Sequence, residues 1–150
     1  MAVDNPTLFE TWKMRTAKTH EEHTRMYAGG EFDFVLIGDS MVERWNTTGR
    51  RHLASTLCAP LPSTGAATEG PARVALLGIG GDSVQNLLFR LREKRALLPR
   101  LTARHAVVLM IGTNNLAHDV TAGQIAEGVL RAANVVRSQT IATRVFLLTL

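Results

Sequence analysis

Residues 34–45, FVLIGDSMVERW, indicate how this chain folds. Residues 34–37 are a short continuous apolar run, which is typical of a strand buried on both faces in a parallel sheet. A tight Gly-Asp turn and Ser40 follow this run, and the next residues have the pattern of a helix. The stretch therefore predicts a buried strand that turns directly into a helix, with a serine at the turn.

The same alternation continues along the chain. Residues 73–77, 105–112 and 144–150 read as three further strands. Helical spacing predicts an apolar stripe formed by Val84, Leu87, Leu88, Leu91 and Leu98, ended by Pro99. A capping box at Thr121–Gln124 predicts the start of another helix, with a buried face formed by Ile125, Val129, Ala133 and Val136. Such alternation favours a parallel sheet with helices on both faces.

Length and composition favour one domain over residues 1–150. The chain has 150 residues, of which 45% are apolar and 20% are charged, enough for a sizeable core. Residues 6–27 read as a polar helix that closes at Gly29 and Gly30. Residues 58–73 are rich in Pro, Gly, Ser, Thr and Ala, and we expect an irregular surface insertion there.

Charge, cysteine content and hydropathy limit the function classes. The formal net charge is +4, and arginines are scattered through the helical segments, which predicts a solvated basic face rather than a nucleic-acid site. These arginines include Arg90, Arg92, Arg95, Arg131 and Arg137. Cys58 is the one cysteine, so an internal disulfide is excluded. No signal-peptide core or membrane-spanning run is evident, and we expect a cytoplasmic protein.

Polar, glycine-containing loops follow the first three predicted strands: GDS at 38–40, GIGGDS at 78–83 and GTNN at 112–115. Because sites in parallel sheets lie at the carboxyl ends of the strands, these loops should converge on one edge. Each serine also has a structural alternative. Ser40 begins a Ser-x-x-Glu capping box, and Asp82 or Ser83 could cap the next helix.

The three loops together carry the parts of an acyl-transfer site. A nucleophilic serine needs exposure on a tight turn, a base, and donors aimed at the developing oxyanion. Ser40 lies at such a turn, and the glycines of the second loop allow backbone N–H groups to approach a ligand. Asn114 and Asn115 in the third loop carry amide donors.

These blocks resemble the GDSL, or SGNH, esterase family. FVLIGDSMVERW is similar to its first block, LLGIGGDSVQNLLFRL to its second and VVLMIGTNNLAHD to its third. GIGGD and GTNN are typical of the branch with the catalytic subunits of platelet-activating-factor acetylhydrolase and related bacterial esterases. The resemblance implies a flavodoxin-like three-layer α/β/α sandwich, here truncated after about four strands.

The resemblance also implies the chemistry. Ser40 would be the nucleophile in the hydrolysis of a small ester, such as an acetyl ester, through an acyl-serine intermediate. The N–H groups of Ser40 and Gly81 and the amide of Asn114 would form the oxyanion hole. Asp39 and Asn115 would contact substrate, and Ser83 would cap its helix. Neither metal nor organic cofactor is implied, and a homodimer or a heterodimer with a complete homologue fits the family.

The chain departs from the family pattern at the base. The family's base and its orienting acid come from a C-terminal Asp-x-x-His block, which residues 1–150 do not contain. Five histidines are present instead: His20, His23, His52, His105 and His118. Of these, only His118 follows a strand at the predicted site edge, and we interpret it as an exposed loop residue. His20 and His23 read as a polar helix face rather than metal ligands.

There are two alternatives to an active esterase. A dinucleotide site would need glycine at position 83, where the chain has serine, and no acidic residue ends a following strand at the required distance. The second alternative is a catalytically incomplete esterase-like fragment that acts as a binding or interaction module. A missing base would lower the rate by several orders of magnitude, because triad members act as a unit.

Overall fold

The computed structural model describes residues 17–49, 72–92, 97–100, 102–140 and 144–148. The helices are α1 (Ala17–Tyr27), α2 (Ser40–Asn46), α3 (Val84–Arg92) and α4 (Ala122–Gln139), with 3-10 helices at Leu98–Arg100 and Thr113–Ala117. The strands are β1 (Glu31–Gly38), β2 (Val74–Gly78), β3 (Thr102–Met110) and β4 (Arg144–Leu147). The elements alternate in the order that the sequence predicts.

The four described strands form one parallel sheet in the order β2-β1-β3-β4. Gly38 at the end of β1 pairs with Gly78 on one side and with Met110 on the other. The carboxyl ends of three neighbouring strands therefore lie at one level, with β1 in the middle. This strand order is the one that flavodoxin-like folds share, so the predicted fold class is confirmed.

Helices cover both faces of the sheet. On one face, α3, α4 and the end of α1 pack on a large core that includes Val35, Ile37 and Val107. On the other face, a smaller cluster joins Leu36 and Leu76 of the sheet to Val42 of α2. Alternate residues of β1 thus point into different cores, which explains why its apolar run is continuous rather than alternating.

Two helices show why the periodic patterns were informative. The predicted capping box forms at the start of α4, where Thr121 and Gln124 exchange hydrogen bonds. Ala133 and Val136 are buried as predicted, and Gly128 lets α4 approach Val84 of α3 closely, since a Cβ there would lie 2.6 Å from Val84 Cγ1. Among the described residues, no helix is both long and apolar enough to cross a lipid bilayer.

Some element bounds differ from the predictions. The described part of the first helix begins at Ala17, and residues 6–16 of the predicted helix lie outside the described residues. Leu98 belongs to a separate 3-10 helix and not to the stripe of α3. Of the predicted insertion at 58–73, only residues 72 and 73 are described, and Arg73 N donates to Asp33 Oδ2 at 2.7 Å.

The predictions for three polar residues were wrong. Arg90 was expected on a solvated basic face, yet its side chain is 5% exposed. The other described arginines of that prediction are exposed, namely Arg92, Arg131 and Arg137. Arg95 lies outside the described residues. His20 and His23 were expected on a polar helix face, yet each is 7% exposed. All three side chains face the larger core, where Leu77 and Leu87 contact the same small cavity.

Candidate active site

The three predicted loops do meet at the carboxyl edge of the sheet. The first follows β1, the second follows β2, and the third follows β3, and these strands are direct neighbours. Ile79 N donates to Gly38 O at 3.1 Å, which joins the second loop to the first. Asn114 Nδ2 donates to Asp82 O at 2.8 Å, which joins the third loop to the second. The loops therefore form one hydrogen-bonded unit.

Ser40 is the first residue of α2 and is half-buried. Asp39, not Ser40, is the N-cap, because Asp39 Oδ1 accepts from Met41 N at 2.9 Å. The alternative in which Ser40 itself caps the helix is therefore wrong. No described residue forms a hydrogen bond with the Ser40 hydroxyl. The Ser40 side chain therefore lies at the turn without stabilising the helix or the loops by a hydrogen bond.

The second loop is a tight turn in which Asp82 N donates to Ile79 O at 3.2 Å. Gly81 has φ of 81°, a left-handed conformation that favours glycine at the third position of a type II turn. Gly81 is exposed, and nothing lies within 4 Å of a Cβ built on it. The backbone of Gly81 consequently faces open space at the same edge as Ser40.

Gly78 permits the approach between this loop and α2. A Cβ at Gly78 would lie 2.1 Å from Glu43 N and 2.8 Å from Asp39 O, both in backbone. Any side chain at position 78 would therefore push the second loop away from the turn that carries Ser40. The spacing of the first two loops depends on direct backbone contact.

Asn114 and Asn115 take different roles in the third loop. Asn114 is half-buried, and one of its two amide hydrogens is used by Asp82 O, which leaves one donor. Asn115 is 1% exposed. Its Oδ1 accepts from Val84 N at 2.9 Å, and its Nδ2 donates to Gln85 Oε1 at 2.7 Å. Asn115 therefore ties the third loop to the start of α3.

Asp39 is as deeply buried as Asn115, at 1% exposed. Both residues were predicted to bind substrate. In the structure their side chains hold the framework, Asp39 as a helix cap and Asn115 as a bridge between loops. Asp39 Oδ2 accepts no hydrogen bond within the described residues, and both side chains are buried, so a direct substrate contact by either one would have to reach beneath the surface.

The second Gly-Asp-Ser copy has a structural function. Ser83 precedes α3, and its Oγ and carbonyl oxygen accept from Asn86 N at 3.4 Å and Leu87 N at 3.0 Å. The prediction that Ser83 caps its helix is confirmed. Asp82 lies 2.6 Å from Arg90, measured from Oδ2 to Nη2, and both side chains are buried.

Arg90 is the site residue that sequence reasoning missed. Its Nη1 donates to Leu77 O and its Nη2 to Gly38 O, each at 3.2 Å. A signal was present in the sequence, because Arg90 follows Leu87 by three residues and Asn86 by four, and so lies on the buried side of α3. A lone arginine on an apolar stripe can mark a buried ion pair.

His20 and His23 lie behind this framework rather than at the open edge. With Arg90 and apolar side chains they line a cavity of about 20 Å³. Burial, and secondarily the nearby positive charge of Arg90, lowers the pKa of each histidine from 6.5 to about 4. Both rings are therefore neutral at pH 7.

The remaining described histidines, His105 and His118, lie towards opposite ends of β3. His105 lies within the amino half of β3, where its Nε2 is 3.7 Å from Asp33 Oδ1. His118 ends the 3-10 helix after Asn114 and is exposed, as predicted. His52 lies outside the described residues. Across the described ranges, no three His, Cys, Asp or Glu side chains are grouped so as to hold a metal ion.

Comparison with solved structures gives relatives of the same fold. A Streptococcus pneumonia protein described as a candidate platelet activating factor superposes with a TM-score of 0.61 at 23% identity, over 94% of this chain. A member of the lipolytic protein G-D-S-L family from Veillonella parvula superposes with a TM-score of 0.54 at 15% identity, over 79% of this chain. This chain covers 57% of the length of each of these proteins.

Sequence comparison identifies the family. No curated protein sequence matches the chain. The model of the GDSL-like Lipase/Acylhydrolase family matches residues 36–150, which include all three loops of the site. The match begins in β1 and runs through every later element, so it covers most of the chain. The family that the three sequence blocks predicted is confirmed, and the chain belongs to the GDSL-like lipase/acylhydrolase family.

Proposed function

We propose that this chain carries the nucleophile and the oxyanion hole of a serine ester hydrolase that acts on a small ester. The observation that supports it best is the hydrogen bond from Asn114 Nδ2 to Asp82 O, because it brings the third loop beside Gly81. A short acyl group such as acetyl is suggested by the branch that the sequence blocks resemble.

In this proposal Ser40 Oγ attacks the ester carbonyl, and its proton passes to a base. The oxyanion accepts hydrogen bonds from the N–H groups of Ser40 and Gly81 and from the second amide hydrogen of Asn114. Collapse expels the alcohol, which takes up the proton, and leaves an acyl-serine. Water, losing a proton to the same base, then attacks the acyl-serine; the bond to Ser40 Oγ breaks, the carboxylic acid leaves, and Oγ takes the proton back.

Asp39 and Asn115 act in this proposal by holding the loops. The cap on Met41 N fixes the turn on which Ser40 lies, and the bridge to Val84 N fixes the loop on which Asn114 lies. We place the base on a histidine outside residues 1–150, since the family supplies it from an Asp-x-x-His block that these residues lack.

The second candidate function is a binding or interaction module without turnover. One observation favours it: no described histidine forms a hydrogen bond with Ser40. In such a module the donors of Gly81 and Asn114 would still attract an ester or an anion. A complete homologue is the partner that the family resemblance suggests.

The deciding experiment is active-site labelling. The protein is expressed from its complete reading frame and, separately, as residues 1–150, and each is treated with a fluorophosphonate probe and assayed with p-nitrophenyl acetate. The esterase function predicts labelling of the complete product that Ser40→Ala abolishes and Ser83→Ala retains. It also predicts little turnover by residues 1–150 alone.

The opposite results are equally informative. Labelling that survives Ser40→Ala but is lost in Ser83→Ala would reverse the assignment of the nucleophile. A complete product that neither labels nor hydrolyses the ester would favour the binding module. Robust turnover by residues 1–150 that depends on Ser40 would place a base within them, and His118 would then be tested first.

A further inference from the structure

We propose that Arg90 is a positioning residue that sets the spacing of the nucleophile loop and both oxyanion loops; this inference rests on the proposed function of the site. Arg90 does not face the open edge, because its side chain is 5% exposed. It acts from beneath the loops, through the backbone atoms at the ends of β1 and β2.

The contacts of Arg90 reach two loops directly. Nη2 donates to Gly38 O, two residues before Ser40, and Nη1 donates to Leu77 O, at the start of the segment that leads to Gly81. Nη2 also lies 2.6 Å from Asp82 Oδ2, on the residue that follows Gly81. One planar group thus contacts both sides of the gap between the first and second loops.

The third loop is reached through one intermediate. Asp82, whose carboxylate contacts Arg90, accepts the Asn114 side chain at its carbonyl oxygen. A shift of Asp82 would therefore carry the Asn114 amide with it. The three groups assigned to the oxyanion hole, the N–H groups of Ser40 and Gly81 and the amide of Asn114, are therefore each connected to Arg90 through short stretches of backbone and hydrogen bonds.

Arginine suits this position for a geometric reason. Its guanidinium offers five N–H donors in a rigid plane, so it can bind two carbonyls and a carboxylate together. Gly38 O also accepts from Ile79 N, so this single oxygen joins Arg90 to both loops. Lysine carries a point charge and cannot reproduce the fork, although it can keep the ion pair with Asp82.

The expected effect is on catalysis more than on substrate binding. A displacement of about 1 Å between nucleophile and oxyanion donors costs on the order of 100-fold in rate. In the product of the complete reading frame, we expect Arg90→Met to lower kcat for p-nitrophenyl acetate by about this factor, with a much smaller change in KM. Arg92→Met is the matched control, because Arg92 lies on the same helix and is exposed.

Loss of stability must be separated from loss of position. Arg90→Met removes the Arg90 charge from beside the buried Asp82 carboxylate, which destabilises the fold. The double variant Arg90→Met/Asp82→Asn removes both charges and should recover stability in urea unfolding. If Arg90 is a positioning residue, kcat stays low in the double variant. If kcat recovers together with stability, the residue is only structural and the proposal is refuted.

Two further measurements keep the test decisive. If Arg90→Met does not fold, Arg90→Lys replaces it, and a kcat that remains within threefold of wild type would refute the proposal. If the wild-type protein neither hydrolyses the ester nor labels at Ser40, the proposed function fails separately. Hydrogen exchange then tests Arg90: the double variant should speed exchange at Ile79 N–H at least tenfold but not at Thr140 N–H, which donates to Val136 O at the C-terminal end of α4. If the double variant exchanges at the wild-type rate at both amides, the positioning role is refuted.

Discussion

Acid should destabilise this fold through His20 and His23. Both rings are buried, and their pKa values are about 4 in the folded chain against 6.5 in the unfolded chain. Well above pH 6.5 both rings are neutral in the folded and in the unfolded chain, so the histidines add no pH dependence. As the pH falls from 6.5 towards 4, only the unfolded chain binds the protons, so the free energy of unfolding decreases.

The magnitude follows from the pKa difference. Each pKa unit corresponds to about 1.4 kcal/mol, so a lowering from 6.5 to about 4 is worth at most about 3 kcal/mol for each histidine. At pH 5 the loss is about 2 kcal/mol per histidine relative to pH 7.5. The combined loss for two histidines is a large share of the roughly 5–15 kcal/mol by which a typical domain is stable.

Urea unfolding at pH 7.5 and at pH 5.0 measures this loss. The wild-type protein is compared with His20→Gln/His23→Gln, and the readout is the change in unfolding free energy between the two pH values. Carboxylates titrate in both proteins, so their contribution cancels in the comparison. The double variant should lose about 4 kcal/mol less than wild type on acidification.

His118→Gln is the matched control, because His118 is exposed. It should follow the wild-type pH dependence. The reasoning is refuted if wild type and His20→Gln/His23→Gln lose the same free energy on acidification. That outcome would mean that the two imidazole rings take up protons in the folded chain as readily as they do in the unfolded chain.

Three substitutions test other parts of the framework. Asn114→Ala should lower kcat of the proposed esterase by about 10²–10³-fold, as loss of one oxyanion donor does; unchanged kcat would remove Asn114 from the oxyanion hole. Asn115→Leu leaves Val84 N buried without an acceptor and should cost about 1–3 kcal/mol in urea unfolding. Gly78→Ala should cost about 3 kcal/mol or more because its Cβ meets backbone. Gly123→Ala, where a Cβ meets only Thr121 Oγ1 at 4.0 Å, should be neutral or slightly stabilising by the same measurement, because Gly123 lies within α4.

The fold was predictable because its signals are local and repeated. The continuous apolar run at residues 34–37 indicated a strand with two buried faces, and β1 confirms it. The capping box of α4 was visible as Thr121 and Gln124, since a cap depends on residues within one turn. Strand order in the sheet, in contrast, depends on long-range packing.

The site was predictable in its location but not in its internal contacts. The blocks placed Ser40, Gly81 and Asn114 at one sheet edge, and the structure brings their loops together. The burial of Asp39 and Asn115 could not be read from the sequence, because a polar side chain in a loop can face either solvent or backbone. Arg90 was misjudged for a related reason: its partners are carbonyls and a carboxylate on other elements.

The close approach at Gly78 has a consequence for any attempt to redesign this protein. The first two loops touch through main-chain atoms, with Glu43 N and Asp39 O on one side and the α-carbon of residue 78 on the other. The spacing at a contact between main chains cannot be adjusted by substituting side chains. We therefore expect the two loops to be transferable to another parallel sheet only together, along with β1 and β2. Exchange of one loop alone should break the backbone contact.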